Sequence, residues 1–287
     1  MDIVANSSKA KKYTLSVFLD LRKCFDVVPH DVLLQKLKFY GILGNAYNWM
    51  KDYLSNRTIK VVANGKTSKS FVMKTGVPQG SVLSVLLFLL FVNDMHLSTT
   101  LEAILFADDS CLNHSSHSLQ TLIEETNTEL NGVADWFNAN KMSLHPKKSK
   151  YIIYNAPQTK KHDDVILMNV PVQQIKENNK KPEDRYYKYV GVMIDEKLTF
   201  KYHAKHVLTK TMRAVGCIYQ TRRNFPKFIL KSLYVSLIKP HFKYGISILG
   251  SCVSKTNLNK IQIGPKKAIR AMNFLKKFDN KPYFQRR

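Results

Sequence analysis

The stretch AILFADDSCL, residues 103–112, sets two adjacent carboxylates, Asp108 and Asp109, between two apolar half-strands. Residues 103–106 and 110–112 read as the arms of a hairpin with the acids at its tip. Taken alone, an Asp-Asp pair at a turn is more often a solvated hairpin tip than a site of chemistry. A third acid bears on that choice. YTLSVFLD, residues 13–20, has the short, apolar, β-branched character of a buried strand and ends on the carboxylate of Asp20. Burying three such acids together is costly, because like charges raise one another's pKa and desolvation opposes ionisation. A divalent cation relieves that cost, and a few carboxylates completed by phosphate oxygens and water are the ligands that Mg²⁺ favours.

Working outward, Leu119, Leu122, Ile123, Leu130, Val133, Trp136 and Phe137 recur at helical spacing, and YIIY at 151–154 returns to strand. Upstream, residues 31–39 and 46–54 read as helices. Residues 58–63 and 70–74 form a hairpin around Asn64-Gly65, a pair that supplies the positive φ angles of a tight turn. Residues 81–93 are apolar all round, which predicts a buried helix. Polar connections at 157–164 and 176–184 lead to a short strand at 189–194. Periodicity then predicts helices over about 203–219, 226–238 and 260–274. Mixed strands and helices followed by a helical tail make this an α+β chain.

The 287 residues, 44% of them hydrophobic, can bury a sizeable core as one large domain or two smaller ones. Charge is distributed unevenly. Residues 197–287 hold 21 Lys and Arg against a single acid, Asp279, and so carry +20 of the chain's +24. Self-repulsion of that size calls for a polyanionic partner, nucleic acid first among them. A membrane surface fits less well, because cations and aromatics interleave over several segments instead of forming one amphipathic helix. Cys24, Cys111, Cys217 and Cys252 lie far apart without metal-finger spacing, which points to free thiols in a reducing, intracellular setting, nuclear or cytoplasmic. The longest apolar run, residues 82–92, is too short for a membrane span, and residues 6–12 are polar where a signal peptide needs an apolar core.

Five segments then carry a resemblance: VFLDLRKCFDVVPH (17–30), GVPQGSVLSVLLFLLFVND (76–94), FADD (106–109), NKMSLHPKKSKY (140–151) and KYVGVMIDEKLTF (188–200). In this order and at these intervals they resemble polymerase motifs A to E of the reverse transcriptases of non-LTR retrotransposons, jockey-like or LINE elements in particular. SLYVSLIKPHFKYG (232–245) and KKAIR (266–270) are similar to the segment that follows that polymerase core. The pattern departs from the family at Cys24, Ser84-Val85, His145 and near Leu249, where the family has Trp; none of them is a metal ligand.

The resemblance implies a palm of antiparallel strands backed by helices over residues 13–200, a basic helical thumb over 201–287, and a polar N-terminal remnant at 1–12. It also implies fingers strands ahead of motif A, of which little would be left before Asp20, so the chain reads as N-terminally truncated. Two Mg²⁺ ions, or Mn²⁺ in their place, would be held by Asp20 and Asp108 with Asp109 accompanying them, for transfer of dNMP to a primer 3′-hydroxyl on an RNA template. Phe25 would be the aromatic gate that favours dNTP; as a bare residue it reads equally as core. Gly76, Pro78, Gln79 and Gly80 would form the loop that approaches nucleotide and template, and Lys148 would assist the departing pyrophosphate, although a solvated lysine fits its setting as well. The rivals are a catalytically inactive, retrotransposon-derived nucleic-acid-binding protein and an unrelated scaffold, the latter expecting Asp20 and Asp108 to lie far apart.

Overall fold

The computed structural model describes residues 2–145, 148–156, 162–246 and 253–274, so that Pro146, Lys147, Leu249, Cys252, the first part of the 157–164 connection and the end of the basic tail lie outside it. The chain folds as two compact units, Asp2–Ile175 and Lys176 onward. This division comes ahead of the boundary at 200 suggested by the motifs. The reason lies in the second unit, where the hairpin of β12 (Tyr187–Tyr189) and β13 (Val192–Ile194) packs on the helix α7 (Lys201–Thr221).

In the first unit, β1 (Tyr13–Asp20) lies in the middle of a five-stranded sheet, flanked by β7 (Asp109–Ser116) and β8 (Lys150–Tyr154), with β6 (Glu102–Phe106) and β11 (Gln173–Gln174) at the edges. The order is β11-β8-β1-β7-β6, antiparallel except for β11 against β8. Because side chains alternate along a strand, β1 turns Leu15, Val17 and Leu19 into the main core and Thr14, Ser16 and Phe18 to the other face. The core face is covered by α3 (His30–Phe39), α5 (Val82–Val92) and α6 (Leu119–Ala139). Lys36 of α3 pins these helices together. Its Nζ donates to Asp94 Oδ1 at 2.6 Å and to the Phe91 carbonyl at 2.7 Å, beneath the rings of Phe91 and Trp136. Burial holds its pKa below the usual lysine range despite the Asp94 carboxylate.

The N-terminal residues, expected as a polar remnant, instead form the helix α1 (Asp2–Lys9), which buries Val4 and donates from Ser7 Oγ to Ser115 Oγ on β7. The hairpin at 58–74 forms as two nested strand pairs, and Asn64 and Gly65 take φ of 50° and 72° at its tip. The helix expected to be buried all round is not. Only Ser84, Leu87, Phe88, Phe91 and Val92 of α5 are buried, while Val82, Val85, Leu86 and Leu89 form an exposed apolar stripe at i, i+3, i+4, i+7 spacing. An apolar sequence on every side does not supply a second layer to pack against.

In the second unit, α7, α8 (Lys227–Leu237) and α10 (Lys255–Met272) bury Val215, Ile218, Leu230, Ala268 and Ala271; the short α9 (Lys239–Lys243) follows α8. His203, at the start of α7, is buried; its Nδ1 accepts from the Met193 N–H at 3.4 Å and its Nε2 has no hydrogen-bond partner. Burial, and secondarily the neighbouring His206, pull its pKa down to about 4. The unfolded chain takes up this proton near 6.5 and the folded chain only near 4, so the folded state is favoured above pH 6.5 and loses that advantage as pH falls through this window. The loss amounts to roughly 3 kcal/mol. Thermal melts at pH 7.5 and 4.5 should therefore differ less for His203→Phe than for the unaltered chain; an unchanged difference would remove His203 as its source.

Candidate active site

Two of the three acids singled out in the sequence, Asp20 and Asp109, pair across the sheet, and Asp108 adjoins them at the turn. Asp20, the last residue of β1, is the direct cross-strand partner of Asp109, the first residue of β7. Phe106 closes β6 opposite the same Asp109, leaving Ala107 and Asp108 as a two-residue hairpin loop; Ala107 has φ of 52°, the positive angle required at the first position of such a loop. By alternation Asp20 lies on the Thr14, Ser16, Phe18 side of the sheet, away from the main core, and Asp109 shares that face. A scaffold that keeps these acids far apart is thereby excluded.

Both main-chain groups of Asp20 are engaged on the side away from β7. Its N–H donates to Ser149 Oγ at 3.1 Å, its carbonyl accepts from the His145 N–H at 2.9 Å, and the Arg22 N–H donates to the Ser143 carbonyl at 3.0 Å. Asp20 and Asp109 are consequently the non-hydrogen-bonded kind of antiparallel pair, in which Cα atoms stand ~4.5 Å apart and side chains come closest. The acids are less buried than expected: Asp20 and Asp109 are half-buried and Asp108 is exposed. Asp108 nonetheless acts on motif A. Burial first, then the Asp108 carboxylate, push the Cys24 thiol up to about 11, so the thiol stays protonated beside the acids.

Among the described residues no three His, Cys, Asp or Glu side chains stand close enough together to hold a metal ion by themselves. An open pair with a third acid at the adjoining turn suits Mg²⁺, which keeps several waters and binds through one or two carboxylates together with substrate phosphates. Of the described cysteines, Cys24, Cys111 and Cys217 are free thiols.

The loop of Gly76, Pro78, Gln79 and Gly80 is tied to motif A by its backbone. The Gly76 N–H donates to the Val28 carbonyl and the Val77 N–H to the Phe25 carbonyl, both at 2.7 Å. Gly76 has φ of 89°, and His30 Nε2 stands 2.7 Å from its carbonyl oxygen. Gln79 Nε2 donates to Asp26 Oδ1 at 2.9 Å, which gives Asp26 a structural role and orients the Gln79 amide. The ring of Phe25, half-buried, stacks on Phe88 at 4.5 Å between centroids. Lys148 is exposed on the turn whose His145 and Ser149 hold Asp20. Sequence reasoning passed over Ser149, His30 and the identity of Gln79 as partner of Asp26, where it expects a structural hydrogen bond and no metal role. Each acts through one hydrogen bond to a distant segment, and no spacing rule reports such a bond.

Residues 2–194 match the family model described as reverse transcriptase (RNA-dependent DNA polymerase). The chain is 28% identical over 284 residues to the probable RNA-directed DNA polymerase from transposon BS of Drosophila melanogaster, covering 91% of this chain and 29% of that protein. It is 27% identical over 275 residues to the RNA-directed DNA polymerase from mobile element jockey of the same species, covering 92% and 29% respectively. The chain thus spans less than a third of the length of these relatives. A solved telomerase structure from Candida tropicalis aligns with 94% of this chain and 46% of its own at 12% identity, with a TM-score of 0.48. With a family match running from α1 through the sheet and its three acids to β13, the chain belongs to the reverse transcriptase family.

Proposed function

We propose that this chain is the palm and thumb portion of a non-LTR-retrotransposon reverse transcriptase, with the palm over residues 13–200 and the thumb over 201–287, and that it adds dNMP to a primer 3′-hydroxyl under the direction of an RNA template. The observation that carries this reading is the register of Asp20 opposite Asp109, with Asp108 at the adjoining turn, on the sheet face turned away from the core.

In this reading Asp20 and Asp108 are the principal ligands for Mg²⁺, or Mn²⁺ in its place, and Asp109 accompanies them. When bound, paired divalent ions activate the attacking oxygen and stabilise the leaving one. The protein's own residues do the rest. The Phe25 ring, braced by Phe88, blocks a 2′-hydroxyl and so selects dNTP. The backbone of Gly76 to Gly80 approaches the incoming nucleotide closely, with Gln79 held by Asp26 toward the templating base. Lys148 supplies a proton or positive charge to the departing pyrophosphate. The basic helices of the second unit track the phosphates of the RNA/DNA duplex, with Arg222 lying over the Tyr219 ring at 3.7 Å as one cation-and-aromatic element of that surface.

The test is single-nucleotide extension of a DNA primer on an RNA template, offering each dNTP separately. Incorporation should follow the template base, stop when Mg²⁺ is chelated and resume when it is restored. Duplex binding without incorporation would instead favour the nucleic-acid-binding reading that the +20 charge of residues 197–287 also supports.

A further inference from the structure

Ser149 has no part in the chemistry so far, yet it is fully buried and its hydroxyl stands between two segments of the site. Its Oγ accepts the Asp20 N–H at 3.1 Å and donates to the His145 carbonyl at 3.3 Å. His145 in turn donates its own N–H to the Asp20 carbonyl at 2.9 Å, and Leu21 bridges to Leu144. The end of β1 is therefore paired on one side with β7 and tied on the other to His145 and Ser149, where this hydroxyl is the side-chain link beside the main-chain bonds. Asp20 lies beyond the last β1–β8 pair, Phe18 with Lys150, where a strand end would otherwise fray.

We propose that Ser149 is a positioning residue for Asp20: its hydroxyl takes the place of the missing ladder bond, fixes the backbone from which the Asp20 carboxylate projects toward Asp109, and couples that carboxylate to the turn bearing Lys148. The inference rests on the reading of Asp20 as a metal ligand. Outer-shell partners of a ligand typically change metal affinity by about 10–100-fold, and because this one acts through the main chain the lower end of that range applies.

The experiment measures Mn²⁺ binding to the full chain by electron paramagnetic resonance, without nucleotide or nucleic acid, together with melting temperature. Ser149→Ala should weaken Mn²⁺ binding about tenfold, and Ser149→Thr, which keeps the hydroxyl, should restore it. Thr126→Ala serves as the control for a lost buried hydroxyl, since Thr126 is fully buried on α6 and its Oγ donates to the Leu122 carbonyl at 2.6 Å; it should leave Mn²⁺ affinity unchanged at a comparable loss of melting temperature. If Ser149→Ala does not fold, Ser149→Cys, which keeps the volume with a weaker acceptor, takes its place with the same expected loss. Asp20→Asn separates the two layers of inference. Binding unaffected by Asp20→Asn would overturn the metal-site reading itself, whereas binding lost in Asp20→Asn but unaltered in the Ser149 variants, or equally weakened in Thr126→Ala, would overturn the positioning role alone.

Discussion

Asp108→Asn should lower template-directed incorporation at least about 10³-fold, equivalent to about 4 kcal/mol of transition-state stabilisation, without lowering the melting temperature. The two halves of this expectation come from the same geometry. Asp20 and Asp109 face each other as a close cross-strand pair and Asp108 adjoins them at the hairpin loop. Carboxylates gathered at one end of a sheet repel one another, so neutralising one does not cost the fold while it removes a proposed metal ligand. Asp108 is also exposed, and the amide of asparagine fits the loop without repacking. Asp20→Asn should act as strongly, and Asp109→Asn less so. The readout is the rate of single-nucleotide extension beside a thermal melt. Activity within tenfold of the unaltered chain would mean that Asp108 is only a hairpin tip. A melting temperature several degrees lower would mean that its role is structural.

The parts of the site that sequence revealed were those encoded by local pattern. YTLSVFLD is short, β-branched and closed by an acid, and it became the central strand ending on Asp20. The FADD turn formed its hairpin, because apolar arms on either side of two polar residues leave few alternatives. Asn64-Gly65 placed its turn for the same local reason. What sequence did not convey depended on which face is covered. Residues 82–92 are apolar at every position, and composition cannot say that Val82 is 90% exposed while Leu87 is fully buried. That distinction is set by what packs on each side. The degree of burial of the three acids was overstated for a related reason: a strand buried along its length can still end in the open. The holds on Asp20 are longer-range still, since Ser149 lies 129 residues away in sequence.

Gly76→Ala should destabilise the first unit by about 2–3 kcal/mol and raise the KM for dNTP, whereas Gly80→Ala, in the same loop, should cost only about 1 kcal/mol. Both glycines have a left-handed backbone, with φ of 89° and 87°, so the conformational penalty for a side chain is similar. Their surroundings differ. A Cβ on Gly80 would meet nothing within 4 Å, while one on Gly76 would lie 2.7 Å from the Asp26 carbonyl oxygen and 2.9 Å from its Cα. Those are backbone atoms of motif A, and they cannot swing aside as a long side chain could. They are also held from several directions: the Gly76 N–H bonds Val28, the Thr75 hydroxyl donates to the Asp26 carbonyl at 3.2 Å, and His30 stands against the Gly76 carbonyl. Relief therefore requires the loop and motif A to separate. That movement would shift Phe25, whose carbonyl accepts from Val77, and Gln79, which Asp26 orients. The two variants together isolate the contact from the φ penalty, with urea unfolding giving the stability and extension kinetics the KM. Equal losses at the two positions would show that backbone conformation alone requires glycine here; a larger loss at Gly76 accompanied by a raised KM would show that this loop and motif A are built as one nucleotide-facing surface.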